Sequence, residues 1–381
     1  MRIGIPRETA PGERRVALVP EVVGKLAKEG MEVLVEADAG QSAYHPDDAY
    51  TAAGARVGTR AQALGADVVA CVQAPSGDDL ALLRAGSVLI GFLRPLDDPQ
   101  AMARLAETGV TALAMELVPR ITRAQRMDAL SAMATIAGYR AVLVAAVELP
   151  KFFPLLTTAA GTVRPAQVLV IGAGVAGLQA LATARRLGAQ ASAYDVRAAA
   201  REQVESVGAR FVELELDTAG AEGQGGYAKA LDEERQRRQV ELLVPHVGRS
   251  DVVITTALVP GMRAPLLVSE DAVRAMAPGS LVLDLAAPNG GNCALTRPGE
   301  TVEAGGVRVL GPLNLPADMP LHASQMYART VAAMIGEFAR DGAFTRDFGD
   351  DVFREVCVAH EGAVVHERVR SLLQPAPAPA A

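Results

Sequence analysis

Gly172, Gly174 and Gly177 stand in the spacing G-x-G-x-x-G within "VLVIGAGVAGLQA". The chemistry this spacing serves is the cradling of a dinucleotide pyrophosphate. Gly172 permits a tight turn, Gly174 lets the phosphates approach the backbone with no Cβ in the way, and Gly177 lets the following helix pack close to the strand. Ala173, Val175 and Ala176 complete the same cofactor-binding turn, whose free N–H groups and positive helix end face the anion. A second strand, "QASAYD", ends at Asp195, 18 residues after Gly177. Its carboxylate suits the hydroxyls of an adenosine ribose and repels a 2′-phosphate, which favours NAD(H) over NADP(H). Val196 and Arg197 follow in the same site. Arg197 is the counter-signal, because an arginine there can accommodate that phosphate. The bland alternative is a nucleotide-free Rossmann-like domain that keeps its glycines for packing.

A second stretch is "LVPRITRAQRMDALS", Leu117 to Ser131, which holds Arg120, Arg123, Gln125, Arg126 and Asp128. From the residues alone it is either a ligand-holding segment or a solvated helix start. The five histidines, His45, His246, His322, His360 and His366, show no triad or metal-ligand spacing.

These residues need rigid elements to position them. Near-continuous apolar runs alternate with helical patterns, which indicates parallel sheets covered on both faces. "RIGIP", "MEVLVE", "DVVACVQ", "SVLIGFL" and "VTALAME" predict strands in the N-terminal third, and "QVLVIG", "QASAYD", "RFVEL", "DVVITTA", "SLVLDLA" and "VRVLG" predict strands further along. The expected fold is α/β, with two Rossmann-like doubly wound parallel-sheet domains joined by long crossing helices. The expected division is 1–130 plus 321–381 against 131–320. A polar segment, Glu215 to Ser250, separates two strands of the second domain. Its first half is Gly/Ala-rich and its second half is helix-prone. A long helical pattern runs from about Ala323 to Arg340, and "LLQPAPAPAA" reads as a Pro/Ala tail.

The bulk of the chain narrows the function classes. With 381 residues it can build two substantial cores. A net charge of −7, few aromatic residues and no Trp exclude nucleic acid as the expected partner. Cys71, Cys293 and Cys357 are scattered, so buried free thiols in a reducing compartment are expected. The opening "MRIGIPRETAPGERRVALVP" has no apolar signal core. The most apolar region, Ala141 to Leu156, is broken by Glu148, Pro150 and Lys151, so no bilayer-spanning run of about 20 residues is expected.

In order along the chain, "RVALVPEVV", "MELVPRITRAQRMDALS", "AGYRAV", "VIGAGVAGLQA", "GGYAK", "TTALVPG" and "DLAAPNGGNC" resemble the NAD(H)-binding component (domain I) of proton-translocating nicotinamide nucleotide transhydrogenases. The resemblance covers about residues 1 to 335. "PRITRAQRMDALS" and "GGYAK" are its selective segments. Alanine dehydrogenases share much of the pattern and are the competing family. Three positions separate them. Where alanine dehydrogenases carry a substrate-binding Lys, a catalytic His and an Asp before Gly-Gly, this chain has Gln73, Arg94, and Pro288 with Asn289. Arg15, whose counterpart binds the substrate carboxylate, is retained. Oxidative deamination moves protons as well as a hydride and needs an acid/base group. Hydride transfer between two nicotinamides needs only two rings held at contact distance.

The resemblance also implies roles. Arg120 and Asp128 would meet each other and the carboxamide end of NAD(H), with Ser131 adding a hydrogen bond. Gln125 would reach toward NADP(H) on a partner. Gly226 and Tyr227 would belong to a mobile loop closing over nucleotide. Ala257 and Leu258, in "TTALVPG", would line the adenine or ribose side, and Asn314 would contact the nicotinamide side. Thr122, Arg126, Ala134 and Thr135 depart from the usual family pattern. The implied protein is a homodimeric, cytoplasmic subunit. It would bind NAD(H) itself and associate peripherally with the membrane through membrane-embedded subunits and an NADP(H)-binding domain. An amino-acid dehydrogenase or a non-catalytic NAD-sensing module are the alternatives.

Overall fold

The computed structural model describes residues 1–216, 232–258 and 261–374. The chain divides into two compact units, one formed by 1–133 with the described residues from 317 onward, the other by 134–316.

In the first unit, strands β1 (Arg2–Ile5), β2 (Glu32–Glu36), β3 (Arg56–Gly58), β4 (Val68–Gln73), β5 (Val88–Phe92) and β6 (Thr111–Ala114) form one sheet. Its order is β6-β5-β4-β1-β2-β3, parallel throughout. Two late strands extend the β6 edge. Cys357–His360 pairs antiparallel with β6, and Ala363–Val364 pairs antiparallel with Cys357–His360. The first unit is therefore a mixed sheet whose last strands come from the far end of the chain. The expected helix near Ala323 runs from Pro320 to Phe338 and lies within this unit. Proline at its first turn is tolerated because that N–H needs no helical partner.

The second unit opens with a two-stranded hairpin, β7 (Leu156–Thr158) and β8 (Gly161–Val163). Its main sheet comprises β9 (Gln167–Ile171), β10 (Gln190–Tyr194), β11 (Arg210–Phe211), β12 (Val252–Thr255), β13 (Leu281–Asp284), β14 (Thr301–Ala304) and β15 (Val307–Leu310). The order is β11-β10-β9-β12-β13-β15-β14, with only β14 antiparallel. Only Arg210–Phe211 of the expected "RFVEL" strand pairs. The helix-prone half of the polar insertion is the helix Glu233–Gly248, capped by the Asp232 carboxylate on the Arg235 N–H.

The strands are apolar on both sides because both sides are covered. Val168, Val170, Ile254 and Leu283 belong to one core, while Leu169, Ile171, Val253 and Val282 belong to another. Alternating side chains of the same strands point to opposite faces, which removes any polar–apolar alternation. The three cysteines are free and buried.

Helix Ala129–Glu148 begins in the first unit and ends in the second. It is long and apolar enough to cross a membrane by length and composition alone. This amends the sequence reading, which took the apolar run to begin only at Ala141. Packing accounts for only part of the apolarity: Ala141, Val142 and Ala145 are buried in the core of the second unit, but only 33% of the apolar stretch is buried.

Candidate functional site

The order β10-β9-β12 places the switch in winding direction at β9 and β12. Ligands of open α/β sheets bind beyond the carboxyl ends of the strands at such a point. The glycine-rich turn leaves β9 and the segment Thr256–Leu258 leaves β12, so both border this position. Here the three glycines have separable reasons. Gly172 has φ +99°, and a Cβ on it would lie 2.6 Å from Thr256 Oγ1. A Cβ on Gly177 would lie 1.9 Å from the Gly172 carbonyl oxygen, so the helix Val175–Arg186 can approach β9 only without one. A Cβ on Gly174 would meet nothing within 4 Å. Gly174 is thus not required by protein packing, and the space before it is open to a ligand. It is also the N-cap of the helix and offers no side-chain cap. The first-turn N–H groups therefore face that space without a side-chain acceptor, as a phosphate requires. Val175 is exposed and Ala176 half-buried, whereas Ala173 is buried.

Asp195 follows β10 and is 9% exposed. Its Oδ2 accepts the Ala173 N–H at 2.8 Å, which ties this carboxylate to the glycine-rich turn. Arg197 binds the same carboxylate through its backbone N–H (2.8 Å), Nε (2.9 Å) and Nη2 (2.8 Å). Val196, between them, is half-buried. The fit to a dinucleotide is supported by the open cradle at Gly174 and by this acidic group at the end of the second strand.

Two residues that sequence reading missed hold the β12 side. Asn292 is wholly buried. It accepts the Ala257 N–H at 3.0 Å and donates to the carbonyls of Ala257 (2.9 Å) and Pro265 (2.8 Å). The backbone N–H of Asn292 in turn donates to Asp284 Oδ2 at 2.7 Å. Asp284, also wholly buried, further accepts from Thr255 Oγ1 (2.8 Å), Ala286 N (3.0 Å), Cys293 N (3.1 Å) and Thr296 Oγ1 (2.6 Å). Thr256 Oγ1 closes the group by donating to the Gly172 carbonyl at 2.9 Å. Leu258 stands exposed at 39%. Asn314 lies between β15 and the short helix Leu315–Asp318 and is half-buried.

In the first unit the Leu117–Ser131 stretch holds a short helical segment, Thr122–Met127, leading into helix Ala129–Glu148. Buried Ala124 and Met127 fix one side of it. Arg123 fixes another through Asp350 (2.7 and 3.0 Å) and Glu337 (2.9 Å), and this pairing holds the Asp350 carboxyl below its ordinary range. Arg123 is therefore an anchor. Asp128 accepts the Ser131 N–H at 2.8 Å and the Ser131 hydroxyl at 2.6 Å, which caps the long helix. Arg120, Gln125 and Arg126 are exposed. Gly226 and Tyr227 lie outside the described residues.

The positions at which the two families were compared can also be located, most of them in the first unit. Arg15, 4% exposed, pairs with Glu13 through Nη2 (2.6 Å) and Nε (2.7 Å). The Gln73 amide donates to the same Glu13 carboxylate at 3.0 Å. Although burial pushes the Glu13 carboxyl upward, the Arg15 pairing outweighs it and draws the group down to about 2. Nearby, burial raises the carboxyls of Glu8 and Glu116 to about 7 against the pull of backbone N–H donors. Glu8 accepts from Val72 (2.5 Å) and Gln73 (3.1 Å), and Glu116 Oε1 accepts from Arg94 (2.5 Å). Arg94 has φ +54°. In the second unit, the segment Ala287–Asn289 is a single helical turn ending at Gly290.

The chain matches "Alanine dehydrogenase/PNT, N-terminal domain" over residues 4–137 and "Alanine dehydrogenase/PNT, C-terminal domain" over residues 141–367. It is 46% identical over 376 residues to an NAD(P) transhydrogenase subunit alpha polypeptide of Rhodospirillum rubrum, covering 96% of this chain and 98% of that one. It is 32% identical over 381 residues to alanine dehydrogenase of Mycobacterium tuberculosis, covering 97% and 96% respectively. Among solved structures it superposes on transhydrogenase from Sinorhizobium meliloti with TM-score 0.87 at 44% identity, covering 96% of this chain and 100% of that one.

Proposed function

Because the chain belongs to the alanine dehydrogenase/PNT family, among the NAD(P) transhydrogenase alpha subunits, we propose that it binds NAD(H) at the glycine-rich turn and exchanges a hydride with NADP(H) held by a partner domain. One observation carries the cofactor reading: the uncapped turn at Gly174, open to solvent, with the Asp195 carboxylate fastened to its Ala173 N–H. Bound there, a nicotinamide nucleotide supplies or accepts the hydride. The N–H groups from Gly174 to Gly177 hold the pyrophosphate while Ala173 ties the turn to Asp195, Asp195 with Val196 and Arg197 meets the adenosine ribose, and Ala257 and Leu258 line the β12 side.

In this reading Arg120, Asp128, Ser131 and Asn314 orient the carboxamide end, and Gln125 reaches the partner's nucleotide. The chain works as a cytoplasmic homodimer held peripherally at the membrane by membrane-embedded subunits, which couple the hydride transfer to proton movement.

Amino-acid dehydrogenation is the second reading, favoured by the retained Arg15. Against it, Arg15 is engaged by Glu13, and Gln73 and Arg94 supply no acid/base group. The test mixes the purified chain with an NADP(H)-binding transhydrogenase domain and follows hydride exchange between the nucleotides. Exchange is the expected result. Tight NADH binding with no exchange would favour a sensor, and rapid NADH formation from L-alanine would favour the dehydrogenase.

A further inference from the structure

The Asp195 carboxylate has about four positions at which it can accept a hydrogen bond. Four donors already use them: Arg197 N and Nε on Oδ1, and Ala173 N and Arg197 Nη2 on Oδ2. The pair is sheltered, with side chains 6% exposed for Asp195 and 16% for Arg197. A ribose that offers two hydroxyl donors to this carboxylate meets an acceptor without spare capacity. The Ala173 N–H cannot leave, because it belongs to the phosphate turn, nor can the Arg197 backbone N–H two residues along. The guanidinium is the group that can leave, by rotation of a long side chain.

We propose that Arg197 sets both the affinity and the selectivity for the adenosine half of the nucleotide by pairing with the carboxylate that the ribose needs. This inference rests on the reading that NAD(H) binds at this turn. Binding then exchanges a charge-assisted fork for two hydroxyl donors, which lowers the affinity for NADH. The displaced guanidinium remains beside the ribose, where its planar fork matches a 2′-phosphate. The same side chain therefore weakens NADH and softens the rejection of 2′-phosphorylated nucleotides.

The test titrates NADH, AMP, 2′,3′-dideoxy-AMP and adenosine 2′,5′-bisphosphate into the full chain and into Arg197→Met and Arg197→Lys, with thermal melts beside each titration. Arg197→Met should bind NADH and AMP about tenfold tighter and the bisphosphate several-fold weaker, the scale expected for loss of one charge-assisted contact. The dideoxy nucleotide, with no hydroxyls to offer, should be unaffected. Arg197→Lys, which keeps the charge but not the fork, should lie between. Weaker NADH binding by a folded Arg197→Met chain, or an equal gain for the dideoxy nucleotide, would overturn the inference. Absence of NADH binding to the unaltered chain would overturn the cofactor reading itself, and this inference with it.

Discussion

A Cβ on Gly138 would lie 2.1 Å from the carbonyl oxygen of Ala176. The connecting helix Ala129–Glu148 therefore touches the first turn of the helix Val175–Arg186 that follows the glycine-rich turn, at a distance only glycine allows. Gly138→Val must push that turn aside. Overpacking of this kind costs roughly 1–3 kcal/mol. We expect a lowered melting temperature and about a tenfold or greater rise in the NADH dissociation constant, read by fluorescence titration. A folded Gly138→Val chain with unaltered NADH affinity would sink the claim that this contact sets the turn.

Asn292 is the buried clamp on Ala257. Asn292→Ala strips the N–H and carbonyl of half-buried Ala257 and the carbonyl of half-buried Pro265 of their partner. An unsatisfied buried group costs about 1–3 kcal/mol. Denaturant titration should show a loss of about 1–3 kcal/mol, since solvent reaches part of the groups left without a partner. NADH affinity should fall with it, because Thr256 beside the clamp holds the Gly172 carbonyl. Full stability in the variant would mean that the three hydrogen bonds are dispensable.

Glu116 gives a pH signature. Its carboxyl titrates near 4.5 when unfolded and near 7 in the fold, chiefly because it is buried. Its Oε2 has no hydrogen-bond partner. Between those two values the folded chain holds a proton that the unfolded chain has lost. Stability from this group therefore falls as pH rises through the window, and the penalty is complete above about pH 7. Glu116→Gln keeps an acceptor for the Arg94 N–H and removes the charge. The variant should exceed the unaltered chain by on the order of 1–3 kcal/mol at about pH 8, with the gap closing toward about pH 5. Urea midpoints measured across that range decide it; a gap independent of pH would refute the assignment.

Gln125 is exposed on a turn whose other sides are fixed by Arg123, Ala124 and Met127. Removing its amide disturbs none of those anchors. Gln125→Ala should leave the NADH dissociation constant within about twofold and slow hydride transfer to the partner's nucleotide by about tenfold or more, the cost of a lost positioning contact. If NADH binding collapsed instead, Gln125 would belong to the first nucleotide's site.

The central strands and the glycine turn were legible because their signals are local. "VLVIG" and "DVVITTA" are continuous apolar runs, and the turn's spacing is contained between Gly172 and Gly177. What escaped was non-local or short. Arg56–Gly58 is only a three-residue strand. Thr301–Ala304 is an antiparallel edge strand where polar residues are tolerated, and Cys357–His360 is a four-residue antiparallel strand whose partner β6 lies far back in the chain. Arg123 reads as one more solvated arginine until Glu337 and Asp350, 214 and 227 residues away, are seen around it. Asn292 is invisible for the same reason, since its partner Ala257 lies 35 residues earlier. Gly138 carries no turn signal because it sits inside a helix, and only the neighbouring helix explains it.

Thr111 and His360 are hydrogen-bonded at 2.9 Å but are 249 residues apart in the chain. At the usual rate of synthesis, about 5–20 residues per second, the β6 edge waits on the order of 10–50 seconds for the strand that covers it. All of 134–316, the contiguous second unit, is synthesised during that wait. The order of maturation is thus the reverse of the order of translation: the contiguous second unit can close first, while the unit begun earlier keeps an open β6 edge until Cys357–His360 arrives.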